Sequence, residues 1–270
     1  IRLRRLEHPV TGKLHIFPMD HGGYMGPIKG IERPKDVLEQ VVKGGATALL
    51  IQKGILKCCC NSFLGKVGII LRVSGTNILS EDVTFETLTS TCEEALRLGA
   101  DAVAFTVNVG SKRDYEAFKL FGLLVDACDE WSIPVLGEFL PAKNAVSNPY
   151  DVKHVKMVAR IGAELGADII KTHYAEPFEE VVSTCPVPIV IAGGAKKDIV
   201  SVLKMVRRAI DAGAAGICIG RNVFQHKNPY LITKILSQMV NENLSVDDAL
   251  KILKEANEGG NIFEESNRIP

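Results

Sequence analysis

The chain has 270 residues, 46% hydrophobic and 24% charged, with 32 lysine plus arginine set against 32 aspartate plus glutamate. That balance leaves no global field to attract nucleic acid or an anionic membrane, and the length suits one (β/α)8 barrel domain over residues 1–270. Seven cysteines, an odd number, in a chain apolar enough to bury a sizeable core read as reduced thiols of a cytoplasmic protein and not as a disulfide framework.

Eight short apolar runs read as strands, at about 14–19, 48–52, 68–73, 102–107, 134–138, 168–172, 187–191 and 216–220. They are rich in Val, Ile and Leu without strict alternation, as expected of parallel strands covered on both faces. Amphipathic stretches of helical period lie between most of them, clearest at Pro34 to Val42, Phe85 to Leu98, Asp114 to Glu130, Pro149 to Leu165 and Asp198 to Ala212. Residues 53–63 allow only a brief or irregular helix. Strand and helix alternating eight times is the signature of a closed parallel barrel. A doubly wound open sheet is the rival, but Met19-Asp20-His21-Gly22-Gly23 after the first strand lacks its glycine fingerprint. Past the eighth strand, Pro229 to Val240 and Ser245 to Ala256 give one helix more than a minimal barrel needs, and such a helix can pack on a second copy of the chain in a homo-oligomer or cap its own barrel. Cys58-Cys59-Cys60 has no metal-ligand spacing. No run approaches the ~20 apolar residues that span a bilayer, and Ile1-Arg2-Leu3-Arg4-Arg5 lacks the apolar core of a signal peptide.

One phrase recurs four times: Gly45-Ala46-Thr47-Ala48-Leu49-Leu50, Gly99-Ala100-Asp101-Ala102-Val103-Ala104, Gly166-Ala167-Asp168-Ile169-Ile170-Lys171 and Gly213-Ala214-Ala215-Gly216-Ile217-Cys218. In each, a left-handed glycine closes a helix and a strand follows at once. Lys171 therefore stands where Leu50, Ala104 and Cys218 place apolar side chains. Two readings fit. The lysine packs its stem inside and pairs its ammonium with water or a carboxylate, or it is a desolvated amine with a lowered pKa, free to attack a carbonyl.

In a barrel the carboxyl ends of the strands face the active site. Those positions hold Asp20, Lys53, Arg72, Ser74, Asn108, Glu138, Lys171, His173, Gly193-Gly194 and Gly220-Arg221. Asp20 and Glu138 are each candidates for a general base or for the ion-pair partner of Lys171, and Asp20 equally for a cap on the segment that follows it; His21 and His173 could shuttle protons or be structural. Backbone amides of Ala192-Gly193-Gly194-Ala195 and Gly220-Arg221-Asn222, with the Arg221 charge, form a candidate phosphate cradle around Gly193, Gly194 and Gly220 at strands seven and eight, so a phosphorylated small molecule is the expected partner.

These residues resemble the class I, Schiff-base aldolase superfamily of deoxyribose-phosphate aldolase and the archaeal-type fructose-bisphosphate aldolases. The resemblance runs through Met19-Asp20-His21-Gly22, Gly26-Pro27, Gly166 to Thr172, Cys185 to Gly194 and Gly220 to Gln225, and within the superfamily it points to the autoinducer-2 phosphate thiolases and the aminodideoxyheptulosonate synthases. It implies that Lys171 forms the imine, that Gly193, Gly194, Gly220 and Arg221 hold substrate phosphate, and that carbon–carbon bond chemistry on a phosphorylated ketose or diketone proceeds with no metal and no cofactor. The family's aldolases carry Tyr-Pro-Arg-Gly after strand five, with the tyrosine as proton donor; this chain has Leu140-Pro141-Ala142-Lys143. Aldolase or transferase chemistry, an isomerase using Asp20 or Glu138, and a non-catalytic sugar-phosphate-binding barrel are the readings left open.

Overall fold

The structure, a computed structural model, describes residues 1–266. Residues 267–270, the end of the expected 1–270 domain, lie outside the described residues. Eight parallel strands close into a barrel: β1 (Leu14–Pro18), β2 (Ala48–Ile51), β3 (Gly68–Arg72), β4 (Ala102–Val109), β5 (Val135–Pro141), β6 (Ile169–His173), β7 (Ile189–Ala192) and β8 (Gly216–Cys218). Closure is carried by β1, which pairs with β2 through Ile16 beside Ala48 and with β8 through Leu14 beside Gly216. An open doubly wound sheet would leave β1 or another strand with a free edge, so that rival is excluded.

The repeated glycines act as the sequence demands. Gly45, Gly99, Gly166 and Gly213 have φ of 95°, 78°, 95° and 94°, a region closed to most side chains, and each turns a helix end directly into a strand. The strand residues that follow alternate between two cores. Ile16, Leu50, Ile70, Ala104, Leu136 and Cys218 fill the barrel interior, while neighbours such as Leu49, Phe105, Ile170 and Ile191 pack outward under the helices. Lys171 shares the inward phase, being two residues beyond the interior Ile169.

The longer helices are α1 (Pro34–Lys43), α2 (Lys53–Cys59), α3 (Cys92–Arg97), α4 (Asp114–Glu130), α5 (Val152–Glu164), α6 (Phe178–Thr184), α7 (Ile199–Asp211), α8 (Pro229–Asn241) and α9 (Val246–Ser266), with single helical turns at Gly22–Met25 after β1 and Arg221–Phe224 after β8. Side-chain caps fix several starts: Asp151 accepts from the Lys153 amide at 2.8 Å and Asp198 from the Ser201 amide at 2.8 Å. The additional carboxy-terminal helices follow β8, and α8 approaches α1 so closely that a Cβ on Gly44 would lie 2.6 Å from Thr233 Cβ. None of the described helices is long and apolar enough to cross a membrane.

The expected helix at Phe85 to Leu98 is a correction. Only Cys92–Arg97 is helical; Thr87–Leu88 pairs antiparallel with Ser74–Gly75 to form a small ribbon above β3. Val83, Thr84, Thr87 and Thr89 are β-branched and favour extended backbone, and Thr91, whose hydroxyl accepts from the Glu94 amide at 3.2 Å, starts the helix only after them. The strand expected at 187–191 begins at Ile189 because Pro188 has no N–H for the ladder. Helix α6, seven residues long with Phe178 and Val181 buried, is not among the stretches whose period is clearest in the sequence.

Candidate active site

At the carboxyl ends of the strands lies a cavity of about 700 Å³. Its floor is an ion cluster assembled from four strands. Arg72, the last residue of β3 and 4% exposed, uses all three guanidinium nitrogens: Nε donates to Asp20 Oδ2 at 2.8 Å, Nη1 to Thr106 Oγ1 at 2.7 Å, and Nη2 to Glu138 Oε2 at 2.6 Å. The other carboxylate oxygen of Glu138 meets Lys171 Nζ at 2.8 Å. Pairing in register puts Glu138 of β5 beside Lys171 of β6, so the sheet itself sets that contact. Two carboxylates and two cations leave the buried cluster neutral, which is the condition under which such charges can be held out of water.

The same contacts set the protonation states. Burial alone would raise Glu138, but Lys171 and then Arg72 hold its carboxyl well below the usual carboxylate range. Asp20 is lowered in the same way, with Arg72 and Lys171 overriding burial. For Lys171, burial lowers the ammonium while Cys218, Glu138 and Asp20 raise it, and the rise wins. Burial pushes the Cys218 thiol up to about 12, so near neutrality it is uncharged and the two carboxylates hold the ammonium. Of the two readings of Lys171, the free site shows the ion pair with Glu138, and the ammonium is raised, not depressed.

His21 and His173 are neutral at physiological pH. Burial pushes His173 down to about 4, and its ring lies 4.6 Å from that of Tyr150, centroid to centroid. His21 is lowered by burial against the pull of Asp20, whose Oδ1 is 3.6 Å from His21 Nδ1.

The predicted cradle faces the same cavity. Gly193, Gly194, Gly220 and Arg221 all line it with Lys171, as do Asp20 and Glu138. Gly194 has φ +69°. A Cβ on Gly220 would come 2.7 Å from both Pro18 O and His21 Cε1, so glycine is required where β8 passes β1. Arg221 Nε is buried without a partner among the described residues, a donor with no acceptor in the free site. The organiser of the cradle is Asn222, 1% exposed. Its Nδ2 donates to Gly193 O at 3.0 Å and Ala195 O at 3.2 Å, and its Oδ1 accepts from the Lys197 amide at 2.8 Å. The sequence places Asn222 in the cradle by its backbone amide, but it works through its side chain, for which residue type at the strand ends carries no signal, and there is none for Tyr150. Lys53, in the ring read from the sequence, instead bonds Glu94 at 3.0 Å outside the cavity.

Known proteins resemble this chain in sequence and in fold. A model of the DeoC/LacD family aldolases matches residues 14–226. The chain is 38% identical over 241 residues to 2-amino-3,7-dideoxy-D-threo-hept-6-ulosonate synthase 1 of Archaeoglobus fulgidus, covering 89% of this chain and 91% of that protein. It is 35% identical over 259 residues to 3-hydroxy-5-phosphonooxypentane-2,4-dione thiolase of Enterobacter sp., covering 96% and 86%. Among solved structures, a Schiff-base-forming fructose-1,6-bisphosphate aldolase superposes with TM-score 0.82 at 28% identity, covering 88% of this chain and 98% of that one. A further match at the same TM-score and identity is an archaeal fructose-1,6-bisphosphate aldolase with its catalytic lysine bound to a carbinolamine intermediate; it covers 88% of this chain and 98% of that one. A match through β1 to the turn after β8, the whole extent of the barrel sheet, places the chain in the DeoC/LacD aldolase family, as a class I aldolase-type enzyme, a lyase that cleaves carbon–carbon bonds.

Proposed function

We propose that this enzyme makes or breaks a carbon–carbon bond in a phosphorylated ketose or diketone through an imine on Lys171. The observation that carries the reading is Lys171 Nζ at 2.8 Å from Glu138 Oε1 in a cavity shared with the glycine cradle. The Lys171 ammonium gives a proton to Glu138, and the amine so formed attacks the substrate carbonyl to give a carbinolamine; Glu138 returns the proton to the departing oxygen, which leaves as water. The protonated imine then accepts the electron pair of the breaking bond. Asp20, tied to Arg72, keeps the cluster charge fixed while these protons move. Gly193, Gly194, Gly220 and Arg221 hold the substrate phosphate.

Borohydride added with a panel of phosphorylated ketoses and diketones should fix substrate on Lys171, located by peptide mass, and Lys171→Ala should trap nothing and turn nothing over. Turnover by wild type with no trapping sinks the imine. Tight phosphate binding with no turnover would leave the chain a binding protein. Transferase chemistry of the thiolase or transaldolase type is the second reading, favoured by Leu140 standing where a proton donor is expected. The same proposal takes the barrel as the chain's one domain and places it in the cytoplasm, in keeping with seven free cysteines. It is a homo-oligomer, for which the apolar surface at Ile78 and Leu79, 50% and 91% exposed, offers a contact; light scattering reads the mass.

A further inference from the structure

Beyond Asp20 and Glu138 the cavity is lined by three more carboxyls, Glu81, Asp82 and Glu86; Glu81 is exposed and Asp82 is turned onto the amide and hydroxyl of Thr84, which leaves Glu86, at the ribbon where a helix was expected. Glu86 directly precedes the ribbon strand Thr87–Leu88 and lines the cavity with Lys171. Its Oε2 is bonded by Ser74 Oγ, and Ser74 Oγ in turn accepts the Thr106 amide at 3.1 Å, so the carboxyl is fixed to the barrel and not to a loose loop. Asn108 Nδ2 donates to Thr84 O at 2.9 Å and pins the segment leading into it.

Two features separate Glu86 from Asp20 and Glu138. The first is pairing: both of those bond Arg72, whose Nε, Nη1 and Nη2 are all occupied, whereas among the described residues no cation forms a salt bridge with Glu86. The charged groups facing it are Arg72 from β3, Glu138 from β5 and Asp20 beyond β1. Burial lifts the Glu86 carboxyl above its ordinary value, with Arg72 and the Ser74 bond opposing and Glu138 and Asp20 adding to the rise. Carboxyls of one site pushed in opposite directions divide the proton chemistry between them. The second is position. In the ring order of the strands β3 stands opposite β7 and β4 opposite β8, so the ribbon at the end of β3 faces the cradle across the cavity, with Lys171 of β6 to one side. A substrate anchored by phosphate at the cradle presents its carbonyl to Lys171 and its far end to Glu86. Leu140 lines the same cavity and has no proton to move.

We propose that Glu86 is a catalytic acid–base residue that carries the proton of the substrate hydroxyl, the substrate being a phosphorylated ketone with a hydroxyl on the carbon β to its carbonyl. The inference rests on the imine reading. In cleavage, the Glu86 carboxylate takes the hydroxyl proton, and the O–H electron pair becomes the second bond of the new carbonyl. The bond between the α and β carbons breaks, and its electron pair forms the enamine and neutralises the iminium on Lys171. In synthesis the protonated Glu86 returns the proton to the carbonyl oxygen as the bond forms.

The test uses the full-length enzyme with fructose 1,6-bisphosphate and fructose 1-phosphate as probes, each having a hydroxyl β to its carbonyl. Glu86→Gln should still be trapped on Lys171 by borohydride to the wild-type extent, with KM little changed, while kcat falls about 10²–10⁴-fold. The acidic limb of the kcat profile should vanish in Glu86→Gln and reappear, at reduced kcat, in Glu86→Asp. Turnover of Glu86→Gln within about threefold of wild type would overturn the assignment. So would joint loss of trapping, KM and thermal stability in both variants, which marks a structural carboxyl. Turnover of either probe by wild type with no trapping overturns the imine reading instead, and the role of Glu86 falls with it; neither turnover nor trapping of either probe overturns the substrate class assigned here.

Discussion

Lys171 is legible at the level of the single residue because three copies of its own strand show what packing wants there: Leu50, Ala104 and Cys218 all lie in the barrel interior. A polar side chain in that phase has to be partnered, and Glu138 partners it. Glu86 was illegible for the opposite reason. It sits in a stretch whose apolar spacing mimics a helix, so its side chain had no face to be assigned to until the ribbon was seen. The side-chain role of Asn222 was illegible because it is to bond loop carbonyls, which no spacing encodes. Its three bonds hold the Gly193 to Lys197 turn in shape. Asn222→Ala removes them and leaves the carbonyl of the buried Gly193 unpaired, at roughly 1–3 kcal/mol, enough for about a tenfold or greater rise in KM. Steady-state kinetics should show that rise with kcat within about threefold; a fall in kcat at constant KM would mean that Asn222 does not act through phosphate binding.

The elements were legible where glycine and periodicity spoke together, as at the four helix-to-strand joints, and illegible where a β-branched run could take either form, as at Val83 to Thr89. One packing contact ties an element directly to the site. Gly162 of α5 lies against Phe139 of β5: a Cβ there would stand 2.5 Å from Phe139 Cδ2 and 2.6 Å from Ile170 Cδ1. Phe139 cannot retreat, because Phe121 meets it edge to face at 5.1 Å between centroids. Alanine gains up to about 1 kcal/mol of helix propensity over glycine, but the clash costs about 1–3 kcal/mol and strain is shared by both strands. Phe139 and Ile170 adjoin Glu138 and Lys171 in sequence, so that strain reaches the 2.8 Å pair. Gly162→Ala should lower the urea midpoint and the rate of imine trapping together. A variant as stable as wild type would show that α5 shifts outward freely.

At the scale of the whole molecule, a chain with no net charge concentrates a neutral cluster at its centre, with Asp20 beyond β1, Arg72 on β3, Glu138 on β5 and Lys171 on β6 spanning the barrel mouth. The folded cluster lowers Asp20 and Glu138 below their ordinary values of 3.8 and 4.5. Both carboxylates therefore contribute stability that is complete above those values and is lost as pH falls through the folded ones. Arg72→Met reverses the sign for Asp20. Without the guanidinium, burial is the largest influence left, the folded carboxyl rises above its unfolded value, and the uncharged form is favoured. Removing one partner of a buried ion pair costs about 3–5 kcal/mol, and in this variant the cost should be greatest at high pH, where the carboxylates are charged. Urea unfolding at about pH 5 and about pH 7.5 should show the variant losing midpoint as pH rises while wild type does not. A loss equal at both values would mean that water enters the cavity and solvates Asp20, and that the cluster is held by packing rather than by charge balance across the barrel.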